Sequence, residues 1–426
     1  MRHPECHRLQ IDAESVLAGG PGTFSKASTR YPEGAAPYAL VSGEGAYVTG
    51  SNGRLYLDTV AALGAVVLGH SHPAVVEAVC AQAQRGASFS MVHPLEISVA
   101  QTLCAMLPCA EMVRFARNGT DVTNMAVRLA RAITGKKHVI FLGYHGGGAD
   151  AYAITTDKRA GVLEALAPYN HQATWGTLET IPPAAWKDLA CLMTEVPALA
   201  WGRPADEYTR QLRALQHEAH SVGALFVLDE VVTFPRWGVS GAQGLYGVIP
   251  DLTCVSKGLA NGFPLAALAG QRQYMERLND GDIFASSTFA GETTALAAAT
   301  ATLRCMRDTD AVARIWRYGQ VLGEGLQALA QQHAVPMTVF GHPPRLGIRW
   351  PSVELRTLWL QEMAKRGVLW GIGVCFPMAC WGADETACLL KAAAQTCALM
   401  ARAIAKDRVA QAITCPLITD VLTVRA

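Results

Sequence analysis

The chain has almost no excess of charge. Its 36 lysines and arginines meet 35 aspartates and glutamates, a formal net charge of +1, and charged residues are only 17% of the total. That balance supplies no basic footprint for nucleic acid or for an anionic membrane surface. A Cys-x-x-Cys pair is also missing, although there are 12 cysteines. They are scattered through apolar patterns, as at Cys80, Cys104 and Cys397, which argues against a disulfide framework or a thiolate metal site and reads as reduced core residues of a cytoplasmic protein. No run of about eighteen apolar residues occurs, and the start, Met1-Arg-His-Pro-Glu-Cys-His-Arg8, has no apolar signal-peptide core, so a soluble chain is expected. Internal repeats and low-complexity tracts are absent as well. His70 and His72 stand two apart before a helix start with no third ligand of matching spacing, so no metal is expected.

What is present is length and apolar material. The 426 residues are half hydrophobic, enough for two or three domains. The expected division is an arm and hairpin over 1–60, a large domain over 61–310 and a small carboxyl-terminal domain over 311–426. The most telling stretch is the run Ala224 to Leu228, which reads as a fully buried parallel strand with Asp229 and Glu230 at its carboxyl end. In doubly wound sheets that edge is where ligands bind. A second short strand, Leu252 to Val255, delivers Lys257, which Ser256, Gly258 and Gly262 leave uncrowded, as suits a nucleophile that must reach a ligand. An ordinary ion pair between Asp229 and Lys257 is the competing reading.

Other strand ends fit the same edge. A strand from Met112 to Phe115 leads into Asn118-Gly119-Thr120 at a helix start, where unpaired N–H groups and the positive dipole end favour an anion such as phosphate. The strand Lys136 to Leu142 ends in Gly143-Tyr144-His145 and three glycines, which suggest a mobile or roomy pocket wall. Leu189 to Thr194 ends at Glu195, and a helix over Ala205 to Ser221 returns the chain to the Ala224 strand. Strand and helix thus alternate, which gives a parallel sheet with helices on both faces. Toward the amino terminus, residues 1 to about 46 are rich in turn signals, and Gly45 to Asp58 reads as two strands joined by an Asn52-Gly53 turn. Residues 151 to 185 carry no strong pattern and are expected to include a mobile segment near a substrate entrance.

The order of Glu195 before Pro197, Asp229-Glu-Val231, Pro250-Asp-Leu252 and Ser256-Lys-Gly258, with Leu68-Gly-His-Ser-His-Pro73 upstream, resembles the class III aminotransferase family of pyridoxal phosphate enzymes. The resemblance runs from about residue 18 to about residue 400. It implies the fold-type I architecture, a mostly parallel sheet with helices on both faces and a smaller α+β domain made from both chain ends. It also implies a homodimer with shared active sites. Within it Lys257 is the Schiff-base lysine and Asp229 the partner of the pyridine nitrogen. Asn118, Gly119 and Thr120 hold the phosphate, joined by Thr288 of the neighbouring subunit. Tyr144 stacks on the ring, His145 supports it, and Val231 and Glu195 lie beside the cofactor. The amino-terminal segment is implied to fold over the active site.

There are departures. The family's usual Ser-Gly-Thr-Glu-Ala is Asn118-Gly-Thr-Asp-Val122 here, and Gly291-Glu292-Thr293 replaces the usual Gly-Asn-Pro, which puts Glu292 where substrate selectivity can reside. Arg236 holds either a substrate carboxylate or a structural partner. The arginine that many relatives use to grip an α-carboxylate is missing from the apolar Gly373 to Met378. The expected activity is therefore amino transfer between an amine and an aldehyde or ketone, on a bulky sugar-like or nucleoside-like substrate. An aminomutase, a decarboxylase and a pyridoxal phosphate-binding protein without catalysis are the alternatives, because the cofactor's electron sink serves whichever bond is broken.

Overall fold

The computed structural model describes residues 3–420, and the chain divides into two compact units. One comprises Pro73–Pro197 and Arg203–Val312. Its centre is a seven-stranded sheet in the order Met112–Ala116, Ala266–Gly270, Leu252–Val255, Leu225–Asp229, Leu189–Thr194, His138–Leu142, Asn170–Ala173. Ala266–Gly270 runs antiparallel to both of its neighbours, and the pairs from Leu252–Val255 to Asn170–Ala173 are all parallel. The central strands are buried along their whole length, which is why they read as unbroken apolar runs.

The helix Gly119–Thr134 shows how local sequence fixes an element. Asn118 accepts a hydrogen bond from the Asp121 N–H at 3.2 Å, and the Asp121 carboxylate accepts from the Asn118 N–H at 3.2 Å. This reciprocal cap satisfies donors at the start, and Gly135 in the left-handed conformation, φ 68°, ends the helix. One face, with Val122, Ala126, Val127, Leu129 and Ala130, enters a core shared with Phe141, Val227, Leu252 and Leu268. Each fully buried side chain of the larger kind contributes roughly 1.5–3 kcal/mol.

The other unit comprises the chain up to His72, Ala198–Gly202 and the chain from Ala313 onward. It carries a four-stranded sheet, Leu40–Glu44, Tyr47–Gly50, Leu55–Asp58 and Val368–Leu369 in that order. The Asn52-Gly53 turn joins the middle pair, with Gly53 at φ 72°. After it, Ala61, Ala62 and Leu63 stand in succession at φ 48°, 50° and 61°, a strained left-handed turn. The Asp58 carboxylate steadies its start by accepting from the Val60 and Ala61 N–H groups at 2.8 and 3.1 Å. Among the described residues Ala383–Ala405 is the one helix long and apolar enough to cross a membrane. Its Leu389, Ala393, Cys397 and Met400 are buried, and its Thr396 hydroxyl donates to the Met363 sulfur at 3.6 Å.

Besides its turns, the amino-terminal region holds a helix, Pro4–Val16, and Leu40–Glu44 adds a strand to the hairpin. Two expectations need correction. Residues 151 to 185 are not a patternless stretch. Tyr152 to Thr156 are buried and Asn170–Ala173 forms the edge of the large sheet. The glycines after His145 are not slack: Gly146 has φ 90°, and a Cβ there would lie 2.3 Å from the Thr120 Oγ1. The loop is glycine-rich because it is pressed against the start of the Gly119 helix.

Candidate active site

Five strands of the large sheet end at one edge, and the chain places a candidate residue just past each. Met112–Ala116 runs into Asn118 and Gly119, His138–Leu142 into Tyr144 and His145, Leu189–Thr194 into Glu195, Leu225–Asp229 into Asp229 itself, and Leu252–Val255 into Lys257. This is the carboxyl edge of the parallel strands, where an α/β sheet takes its ligands. Asp229 and Lys257 come from adjacent strands, with Asp229 paired in register to Cys254, three residues before Lys257.

Asp229 is buried and held from two sides. Its Oδ1 accepts from the Val231 N–H at 3.0 Å, and its Oδ2 lies 2.8 Å from the His145 Nδ1. The other ring nitrogen of His145, Nε2, is 3.0 Å from the Leu142 carbonyl. A carbonyl only accepts, so Nε2 is the donor in that contact. The pair is fully enclosed, with side-chain exposures of 0% and 3%. A carboxylate so fixed can stabilise a positive charge that faces it.

Glu230, one residue on, has a different task. It is fully buried and accepts from the Thr233 hydroxyl, the Ala242 and Gln243 N–H groups and the Gln243 amide at 2.8, 2.6, 3.1 and 3.0 Å. Burial nevertheless pushes its carboxyl above the ordinary range. It ties down the short helix that follows and is not free for a ligand. Lys257 is partly buried, with φ 45° in the left-handed region, next to Ser256, whose hydroxyl donates to the Leu265 carbonyl at 2.8 Å. A non-glycine residue held there is strained, and such strain collects at functional sites.

The phosphate-type cradle is formed where three segments converge. The first-turn N–H groups of Gly119 and Thr120 are those for which helix geometry leaves no partner inside the helix. A Cβ on Gly119 would lie 3.1 and 3.2 Å from the Val231 methyls, and Gly146 and Gly148 close on Thr120. The Thr123 hydroxyl donates to the His145 carbonyl at 2.8 Å, which joins the helix to the His145 loop. Glu195 lies against Gly143, whose Cβ would be 3.0 Å from the Glu195 Cγ. Tyr144 is half exposed, its ring edge-to-face with Tyr152 at 5.6 Å.

The structure thus brings together Asn118, Gly119, Thr120, Tyr144, His145, Glu195, Asp229, Val231 and Lys257. Thr288 lies in an exposed turn, and its neighbour Phe289 sits 5.1 Å beneath the guanidinium of Arg117, the residue before Asn118. Glu292 has a structural task. Its carboxylate caps the helix Thr293–Asp308, accepting from the Thr294 and Ala295 N–H groups at 2.9 Å each and from the Thr294 hydroxyl at 2.6 Å. That occupies both of its oxygens. Arg236 is fully buried. Tyr152 went unread in the sequence, where the only signal was an aromatic inside the apolar string Ala151 to Ile154.

A lysine, a braced carboxylate and a tight N–H cradle thus share one sheet edge. A family model, aminotransferase class III, matches residues 30–373. The chain belongs to the class III aminotransferases. Among curated relatives of this class III chain, the glutamate-1-semialdehyde 2,1-aminomutase of Thermomicrobium roseum is 34% identical over 333 residues, which are 74% of this chain and 75% of the relative. The enzyme of the same name from Myxococcus xanthus is 33% identical over 355 residues, 80% and 81% of the two chains. A solved transaminase with PLP bound superposes with a TM-score of 0.84 at 26% identity, covering 94% of this chain and all of that one.

Proposed function

We propose that this chain is a pyridoxal phosphate-dependent aminotransferase that moves an amino group between an amine and an aldehyde or ketone. The observation that carries the reading is the juxtaposition at one sheet edge of Lys257, the His145–Asp229 pair and the Gly119–Thr120 helix start. The residues fit the group. The glycine-tight N–H cradle suits a phosphate, and the enclosed carboxylate suits a protonated ring nitrogen. When bound, pyridoxal phosphate supplies an electron sink for charge developing on the carbon next to the amine nitrogen.

The protein's own residues do the rest. Lys257 would hold the cofactor through its Nζ, and that amine, when free, would carry a proton at the reacting carbon. Asp229, fixed by His145 and Val231, would hold the ring nitrogen's proton in place. Gly119, Thr120 and the capped helix start would bind the phosphate, and Tyr144 would stack on the ring. Thr288 of the partner subunit completes the phosphate site in a homodimer. Two adjoining segments with exposed apolar side chains support that assembly: Phe89, Met91, Val92 and Ile97 on one, Phe284 and Phe289 on the other. Thr293 joins the segments by donating to the Gly86 carbonyl at 2.8 Å. Apolar side chains left in water on a folded surface mark an interface.

A second reading has a specific support. Both curated relatives named above are aminomutases, which keeps an amino shift within one substrate in play. The bulky-amine preference rests on the apolar Gly373 to Met378 alone, since Asn118 and Asp121 are taken up by the helix cap. One experiment separates these readings. The purified protein loaded with pyridoxal phosphate is given single amine donors, and conversion of the bound cofactor to its aminated form is followed by absorbance. Turnover of a two-substrate amine and carbonyl pair supports transfer. Turnover of glutamate 1-semialdehyde alone into its 5-amino isomer supports the aminomutase and sinks the transfer reading.

A further inference from the structure

Tyr152 stands behind the site and touches both Tyr144 and His145. It is 1% exposed, on the short helix Asp150–Ala153. Its hydroxyl donates to the Gly143 carbonyl at 3.0 Å, the peptide that carries Tyr144. Its ring lies edge-to-face with Phe141, Tyr144 and His145, at centroid distances of 5.4, 5.6 and 5.7 Å and interplanar angles of 87°, 83° and 89°. Edge-to-face contacts are directional, because the positive rim of one ring seeks the negative face of the other. Three of them at near right angles define a corner, and the hydrogen bond fixes the corner's height.

The corner joins two groups with separate duties. Tyr144 is half exposed and leans on the Tyr152 ring to hold its tilt, whereas His145 holds Asp229 at 2.8 Å. Gly143 between strand and site has φ 108°, a flexible joint that would let both swing. Burial, with the nearby Glu195, Tyr144 and Asp229 charges adding, pushes the Tyr152 hydroxyl well above its ordinary range, so it stays a neutral donor at every working pH.

We infer that Tyr152 is the positioning residue that sets the tilt of Tyr144 and the aim of the His145–Asp229 pair together. This rests on the cofactor reading above. Tyr152 touches neither cofactor nor substrate in that arrangement and acts only through its neighbours.

The test uses the full chain loaded with pyridoxal phosphate and two variants, Tyr152→Phe, which keeps the ring and loses the hydrogen bond, and Tyr152→Leu, which loses both. The readout is the pH at which the bound cofactor's visible absorbance changes form, alongside circular dichroism and thermal unfolding as controls of folding. A looser carboxylate holds the ring nitrogen's proton less well; a ring without that charge draws less on the nitrogen bonded to Lys257, which then keeps its own proton to higher pH, so the visible midpoint moves upward, by about one pH unit in Tyr152→Leu and by less in Tyr152→Phe. The cofactor also dissociates about tenfold faster from Tyr152→Leu. A role confined to packing lowers the unfolding temperature and leaves the midpoint alone, and that result overturns the inference. Should Tyr152→Leu fail to fold, Tyr152→Phe decides: an unmoved midpoint there overturns it too. A native chain that gains no visible band with pyridoxal phosphate overturns the cofactor reading and this inference with it, whereas a native band with unmoved variants overturns the inference alone.

Discussion

Asp229 and Glu230 are neighbours in sequence with opposite fates, and each makes a prediction. Replacing Asp229 by Asn keeps the shape and removes the charge that, in the proposed function, holds the ring nitrogen's proton. Turnover falls by about 10²–10⁴-fold while the protein still takes up pyridoxal phosphate, which steady-state kinetics and absorbance check together. Glu230 acts on stability. Burial raises its folded value above the usual 4.5, so the folded chain binds the proton more tightly than the unfolded one. Its contribution is whole below that unfolded value and is lost as the pH rises through the folded one. Denaturant unfolding from about pH 4 to about pH 8 therefore shows the stability of the native chain, relative to Glu230→Gln, falling as the pH rises. A relative gain on going alkaline contradicts the assignment. Cysteines extend the pattern, since burial pushes the Cys191 and Cys397 thiols up to about 12. Iodoacetamide at neutral pH labels the exposed Cys80 and Cys388 and leaves those two unmodified in the folded protein.

At the scale of elements, the Gly146 loop and the capped Gly119 helix make the cradle. Gly146→Ala puts a Cβ 2.3 Å from the Thr120 Oγ1 at a positive φ, so the loop must move. Thermal unfolding shows a loss of about 1–3 kcal/mol, and equilibrium dialysis shows weaker retention of pyridoxal phosphate. Asn118→Ala, which removes only a cap, costs about 1 kcal/mol. The same elements show what the sequence made readable. Strands buried on both faces, such as Leu225–Asp229 and Leu189–Thr194, announce themselves as apolar runs, and the residues just past them then fall at the ligand edge. Ala266–Gly270 stayed hidden because Ala-Ala-Leu-Ala-Gly has little strand propensity and is a strand only through its two neighbours. Asn170–Ala173 was equally silent, being polar and at the sheet edge. Glu292 misled because a capping carboxylate and a substrate-binding one have the same spelling. Tyr152 was not singled out, since its meaning lies in its packing against three rings of the 141–145 segment.

For the whole molecule, the exposed turn at Thr288 separates two arrangements. If Thr288 serves the partner's site, a heterodimer of a Lys257→Ala subunit with a Thr288→Ala subunit contains one site with both native residues. Mixing and reassociating the two inactive homodimers then restores activity toward one native site per dimer. If Thr288 serves its own subunit, no intact site forms and mixing restores nothing.

The proposed function depends on a covalent bond at one position. The protein incubated with pyridoxal phosphate, reduced with borohydride and digested is read by peptide mass spectrometry. The expected result is the reduced cofactor's mass on the peptide containing Lys257 and its loss in Lys257→Ala. The mass on another lysine, or on none while the cofactor stays bound, contradicts the proposed function.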